Sequence, residues 1–224
     1  MVCGLIACSL SALAQGGGRG QGRMGMMGGG GLQMLAIPEV QQELKMTPDQ
    51  VSKVQGKSQE VRQATMELMR EAGGPQAFQE MSQEERQQLM EKMQAIQKKA
   101  VNEILNADQQ KRFHQLELQQ SGAMAFGRKE VREALKLTTE QGTKMQEVQR
   151  GQMQAMREAM QGVDFQNMTD EERQAMQKKM EALQKATYDK CVEVLTAEQQ
   201  KQWKEMLGEP FKFPARRPMR RPGG

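Results

Sequence analysis

The chain has 224 residues, of which 37% are hydrophobic, 4% aromatic and 27% charged, with a formal charge of +4. One histidine, one tryptophan and one tyrosine exclude a thick aromatic core and a site built on paired histidines. Gln, Met, Ala and charged residues dominate, as in long amphipathic helices rather than sheets, so the expected fold class is all-α.

Residues 2–14 form an uncharged apolar run that ends Ala12-Leu13-Ala14 before Gln15. A short apolar stretch with a small-residue end reads as a secretory signal peptide (residues 1–14) cut near Ala14, and it is too short to span a bilayer. It has no Lys or Arg ahead of it, which suggests that the natural start lies further upstream. Leu5-Ile6-Ala7-Cys8 also has the form of a bacterial lipobox, which would put a lipid on Cys8. Removal of the signal leaves Cys191 as the one cysteine, so no intramolecular disulfide can form. Its apolar neighbours at helical spacing, Leu183, Thr187 and Val194, point to burial as a small hydrophobe.

Residues 15–37 are expected to be a flexible Gly-rich linker. They hold two Arg and no acid, and the Pro/Arg-rich tail over 211–224 holds five basic residues and no acid. Removing those seven leaves 25 basic against 28 acidic residues for the body. The basicity belongs to the ends. Such a tail reads as solvated by default, with anionic lipid or polysaccharide as candidate contacts, and export makes nucleic acid an unexpected partner.

The body is punctuated by boxes of one shape. Met46-Thr47-Pro48-Asp49-Gln50, Leu105-Asn106-Ala107-Asp108-Gln109, Leu137-Thr138-Thr139-Glu140-Gln141 and Leu195-Thr196-Ala197-Glu198-Gln199 each carry a hydroxyl or amide residue three places before Gln. That is a capping box: the first side chain accepts from the N3 backbone N–H, and the N3 side chain reaches back to the cap's N–H. Pro48 stands at N1, where its missing donor costs nothing. Ser82…Glu85 and Thr169…Glu172 are boxes with Glu at N3.

Between the boxes the period is helical. A first long helix is expected from about Pro48 to Ala72, ended by Gly73-Gly74-Pro75. A second follows Ser82 with Leu89, Met93, Ile96, Ala100 and Ile104 in one stripe. A shorter helix after Asn106 carries Phe113 and Leu116 and closes near Gly122. The plan then repeats. Thr138 lies 91 residues after Thr47, Thr169 lies 87 after Ser82, and Thr196 lies 90 after Asn106. Near-constant offsets mean a duplication with small loop changes. The expected architecture is two tandem helix-hairpin repeats, 38–122 and 123–210, packed as an extended bundle. Gly56, Gly142 and Gly151 fall inside helices, where they allow bending or close approach or are simply tolerated.

Catalytic chemistry finds no constellation. His114 is the sole histidine, no Gly-rich phosphate loop follows a strand, and no serine sits in a nucleophile elbow. Neither an enzyme nor a cofactor is expected. The 21 methionines are the anomaly. Met93, Met176 and Met180 read as core. Met66, Met69, Met153, Met156 and Met160 crowd the C-terminal half of the first long helix of each repeat over more than one stripe, which suits a surface for unfolded clients. Met24, Met26 and Met27 are a soft-ligand cluster, the place to look for Cu(I).

The paired L-T-x-x-Q boxes, Leu137-Thr138…Gln141 and Leu195-Thr196…Gln199, precede Gln/Met/Lys-rich helices behind an export signal. In this the chain resembles the Spy/CpxP family of bacterial envelope proteins, with Thr47…Gln50 and Asn106…Gln109 as a looser copy. The resemblance implies an all-helical cradle-shaped dimer in the periplasm that binds misfolded proteins without ATP, or senses envelope stress; some relatives bind metals. A competing reading of the chain is a structural or regulatory partner of a membrane sensor, with the basic tail as its docking piece. The resemblance also implies that the boxes fix helix ends and a helix–helix junction. The two motif pairs suggest that one polypeptide here builds what relatives build as a dimer, and leave homodimerisation open.

Overall fold

In a computed structural model the described residues, 31–164 and 167–214, are helical with no strand among them. Ten α-helices follow in order: α1 (Leu32–Leu35), α2 (Pro38–Glu43), α3 (Pro48–Glu71), α4 (Gly74–Glu80), α5 (Gln83–Ile104), α6 (Ala107–Ser121), α7 (Lys129–Ala134), α8 (Thr139–Met160), α9 (Asp170–Glu193) and α10 (Ala197–Leu207). A 3₁₀ helix, Gly122–Gly127, joins α6 to α7. The all-α expectation is met. The signal peptide, the Cys8 lipobox, Met24, Met26, Met27 and the tail arginines (Arg216, Arg217, Arg220, Arg221) lie outside the described residues. No described helix is long and apolar enough to cross a membrane.

Each repeat is a long hairpin on a compact base. The antiparallel pairs are α3 with α5 and α8 with α9, and α6 packs against α10 between the two repeats. Burial collects at the base. The first core holds Leu32, Met34, Leu35, Val40, Leu44, Val54, Ala100, Val101, Ile104, Leu105, Phe113 and Leu116. The second is built around Trp203, whose ring centroid lies 4.7 Å from Phe126 and whose Nε1–H donates to the Tyr188 hydroxyl at 2.9 Å. A buried indole needs such a partner for its one donor. Cys191 is fully buried in this core, and loss of solvent pushes its thiol pKa up.

Three expected boundaries need correction. The linker placed over residues 15–37 cannot run that far, because residues 32–35 form α1 and bury Leu32, Met34 and Leu35. Burying three large apolar side chains gains roughly 1.5–3 kcal/mol each, which offsets the ordering of so short a segment. The repeats placed at 38–122 and 123–210 therefore begin earlier, at Gly31 and Gly122. These two glycines sit 91 residues apart, both at positive φ (75° and 52°), and open equivalent turns. Burial matches across that offset: Leu32 with Ala123, Met34 with Ala125, Leu35 with Phe126, Val40 with Val131. The tail placed at 211–224 is also folded at its start. Phe211 and Phe213 meet edge-to-face at 4.9 Å and pack on the first core.

That return makes the two cores interdependent. Leu118 of α6 enters the second core from the first repeat, and the chain leaving α10 brings Phe211 and Phe213 back to the first. Gln119 on α6 fastens the return: its Nε2 donates to the Leu207 and Glu209 carbonyls at 2.7 and 2.8 Å, and its Oε1 accepts from Phe211 N–H at 2.8 Å. Close helix approach does not explain Gly56 or Gly151, since a Cβ at either would meet open space, whereas one at Gly142 would touch the Arg132 guanidinium at 3.4 Å.

Replacing Phe211 and Phe213 together by Ala should therefore destabilise the whole body by about 2 kcal/mol. The check is thermal unfolding followed by circular dichroism and by Trp203 fluorescence. Both transitions are expected to shift down together, although Trp203 lies in the other core; a shift in the first signal alone would mean independent repeats.

Candidate functional site

The site has a rigid part and an exposed part, and the boxes make the rigid part. All six cap as the spacing requires. Thr47, Asn106, Thr138 and Thr196 each accept from the backbone N–H of the Gln three residues on, and that Gln's Oε1 accepts from the cap's N–H at 2.9–3.1 Å. Ser82 with Glu85 and Thr169 with Glu172 do the same with a carboxylate.

The four Gln side chains also do something a cap does not require. Gln50 Nε2 donates to Gln109 Oε1 at 2.7 Å, and Gln109 Nε2 donates back to Gln50 Oε1 at 3.1 Å. Gln141 and Gln199 form the same reciprocal pair at 2.7 and 3.2 Å. Each remaining N–H goes to a carbonyl at the C-terminal end of another helix: Gln50 to Ile104 (2.8 Å), Gln109 to Leu44 (3.0 Å), Gln141 to Val194 (3.0 Å) and Gln199 to Leu135 (2.9 Å). A helix leaves its last carbonyls without intrahelical partners, and here a side chain from across the junction takes one at each end. The apolar residue opening the first box of each repeat has a matching role. Met46 and Leu137 donate their N–H to Gln41 and Arg132, closing the C-termini of α2 and α7 around Lys45 and Lys136, which sit in the left-handed region.

The choice between Gln and Glu at N3 follows from this. A carboxylate can accept but cannot donate. Glu85 and Glu172 stand at the far ends of the hairpins and only cap. Gln50, Gln109, Gln141 and Gln199 stand at the junction, where the amide must do both. Sequence reasoning missed this pairing, and the Gln/Glu contrast was the available signal. It also missed Gln110 and Gln200, which follow the box Gln and bond the Leu105 and Leu195 carbonyls at 2.7 and 3.1 Å.

The exposed part is the hairpin arms. Along α8 and α9 full burial is limited to Met145, Thr187 and Cys191. Met93, Ile96, Met176, Met180 and Leu183 are only half-buried, because two helices alone can cover one seam and leave its flanks open. Beyond that seam lie Met66 (66% exposed), Met153 (66%), Met156 (38%) and Met160 (39%), with Met153, Met156 and Met160 at i, i+3, i+7 on one face of α8. Met69 is half-buried. Met124, in the 3₁₀ link and absent from the sequence-based set, is the most exposed of all at 74%. Its position matches Gln33 in the first repeat, which is also exposed.

At the second junction an open groove of about 740 Å3 is lined by Lys144, Val148, Lys190, Glu193 and the box residues. The equivalent place in the first repeat is bridged by Lys57 and Glu103 at 2.6 Å, and that contact, with Glu60 second, raises the Lys57 pKa to about 12. His114 is half exposed on α6, with Nδ1 3.9 Å from Glu117. Among the described residues no three His, Cys, Asp or Glu side chains come together as a metal site would need.

Comparison of the chain with family models, with curated proteins and with solved structures finds no match.

Two outcomes follow from the junction. Gln141→Glu keeps a cap acceptor and loses both donated bonds, so it should cost about 2 kcal/mol, more than Thr138→Ala at about 1 kcal/mol. If the Gln acted only as a cap, Gln141→Glu would be neutral in denaturant unfolding. The second outcome concerns acid. Hydrogen bonds from Ser82 (hydroxyl, then backbone) hold Glu85 below the ordinary 4.5, and those from Thr169 (backbone, then hydroxyl) do the same for Glu172. A carboxyl depressed in the fold contributes stability above its unfolded pKa and loses it as pH falls through the folded value. Amide protection at the first turns of α5 and α9, taken relative to the intrinsic exchange rate at each pH, should therefore fall on acidification below 4.5, while the Gln-capped turns keep their protection to lower pH.

Proposed function

We propose that the protein is an exported, ATP-independent chaperone-like module that binds unfolded or misfolded envelope proteins along its methionine-lined arms. One observation carries this reading. Every large hydrophobic side chain that is exposed among the described residues is a methionine, and four of the five lie on α3 and α8. The cores, in contrast, are filled by Leu, Val, Ile, Phe and Trp, with Met34 and Met145 the methionines among their buried residues.

That partition has a physical use. Leu and Met offer similar apolar bulk, but Met has an unbranched, polarisable side chain that repacks against irregular partners. A client with no fixed shape is served by such a surface and poorly served by a rigid one. α8 is 22 residues long, about 33 Å at the helical rise, enough to hold an extended segment. Apolar contact of this kind is reversible by mass action, so the reading requires no nucleotide. The export signal favours envelope clients, and the internal duplication supplies two arms in one chain.

The test is light scattering of a chemically unfolded protein diluted into buffer with and without this one. Suppression of aggregation at near-equimolar ratio for several unrelated clients is expected. Changing Met66, Met153, Met156 and Met160 to Gln should weaken it by roughly threefold or more while leaving the thermal midpoint unchanged. Absence of suppression for every client, or an unimpaired variant, would contradict the proposal.

A further inference from the structure

A surface that only had to be apolar could use Leu, which has better helix propensity than Met or equals it. On α3, on α8 and in the 3₁₀ link the exposed large apolar positions are all Met instead. Besides its flexibility, what Met has and Leu lacks is an oxidisable sulfur. Access is graded across the methionines of this fold, with Met69, Met93, Met176 and Met180 half-buried between two extremes. Met66, Met124, Met153, Met156 and Met160 are 38–74% exposed, whereas Met34 and Met145 are 1% and 3% exposed.

We propose that Met66, Met153, Met156 and Met160 are reversible oxidation sites through which peroxide switches the arms from an apolar to a polar surface, with Met124 oxidised alongside them. The inference rests on the binding reading above and adds its regulation. The thioether lone pair attacks one oxygen of hydrogen peroxide, the O–O bond breaks, an S–O bond forms, and the other oxygen leaves as water with the second proton. Sulfur is oxidised by two electrons and peroxide is reduced by two. The sulfoxide is polar and a strong acceptor, so the same side chain no longer favours contact with an apolar segment. The fold survives, because Met34 and Met145, the fully buried methionines of the two cores, are shielded and because the junction is held by amides that peroxide does not attack. A methionine sulfoxide reductase restores the thioether.

The experiment treats the whole protein with graded hydrogen peroxide and reads three signals. Peptide mass mapping should show the oxygen addition at Met66, Met124, Met153, Met156 and Met160 before Met34 and Met145. Binding of an environment-sensitive hydrophobic dye should fall by roughly threefold, with Trp203 emission unchanged, and recover with reductase. A variant with Met66, Met153, Met156 and Met160 changed to Leu should keep its dye binding through the same treatment. Simultaneous oxidation of Met34 or Met145, a red-shifted Trp203, or dye binding that peroxide leaves intact in the unaltered protein would each overturn the proposal. The dye needs no client, so a protein that binds dye in this switchable way yet suppresses no aggregation would count against the binding reading alone.

Discussion

The reciprocal glutamine pair is the interaction on which the rest of this structure depends. In each repeat two Gln side chains share their amides face to face, each also accepting from its own helix cap and donating to the end of another helix. No other side chain of that length both accepts and donates from one planar group. The pair therefore fixes four helix termini at one point: the start of the first long helix, the end of the second, and the two short helices that meet them. With those ends fixed, the direction of the hairpin leaving the junction is fixed as well. Every bond is local to a terminus, so the arms beyond it need little packing to keep their aim.

This economy accounts for the uneven burial. The cores are small and lie under the junctions, and neither is complete within its own repeat. Leu118 of α6 enters the second core from the first repeat, and Phe211 and Phe213 cross from the end of α10 into the first. Segments shared between the repeats in this way couple the packing of the two cores. Fully buried residues thin out along the arms, and those of the second arm lie near its base. The arms keep their helical shape through capping boxes at both ends and a half-buried seam, and their remaining apolar side chains face water. Contiguous exposed apolar side chains are the physical mark of an interaction surface.

Much of this was legible in the sequence because it is local. The capping boxes need only four residues to be recognised, the stripes need two turns of helix, and the duplication needs only the offsets. The Gln–Gln pairs were not legible in the same way. Gln50 and Gln109 are separated by 59 residues and Gln141 and Gln199 by 58, and nothing in a capping box says that its N3 side chain has a second partner. Comparing Gln at four boxes with Glu at two would have raised the question. The boundary errors have a different cause. Gly-rich composition masks Leu32-Gln33-Met34-Leu35, and basic composition masks Phe211 and Phe213, although each stretch carries the apolar residues that finish a core. Composition averaged over a window hides the few side chains that decide where a fold begins. Crowding on α3 and α8 marks four of the five exposed Met, and half-buried Met69 and exposed Met124 mark the limits of that rule.

Rigid junctions carrying open arms make a definite pattern of local stability, and native-state hydrogen exchange measures it residue by residue. Amides around Gln50, Gln109, Gln141 and Gln199, together with those of α6 and α10, should exchange only through global unfolding. Amides in the outer halves of α3, α5, α8 and α9 should exchange through smaller openings, at free energies that decline toward the hairpin tips. Equal protection from junction to tip would contradict the account, since it would mean that the arms are held by packing that this structure does not contain.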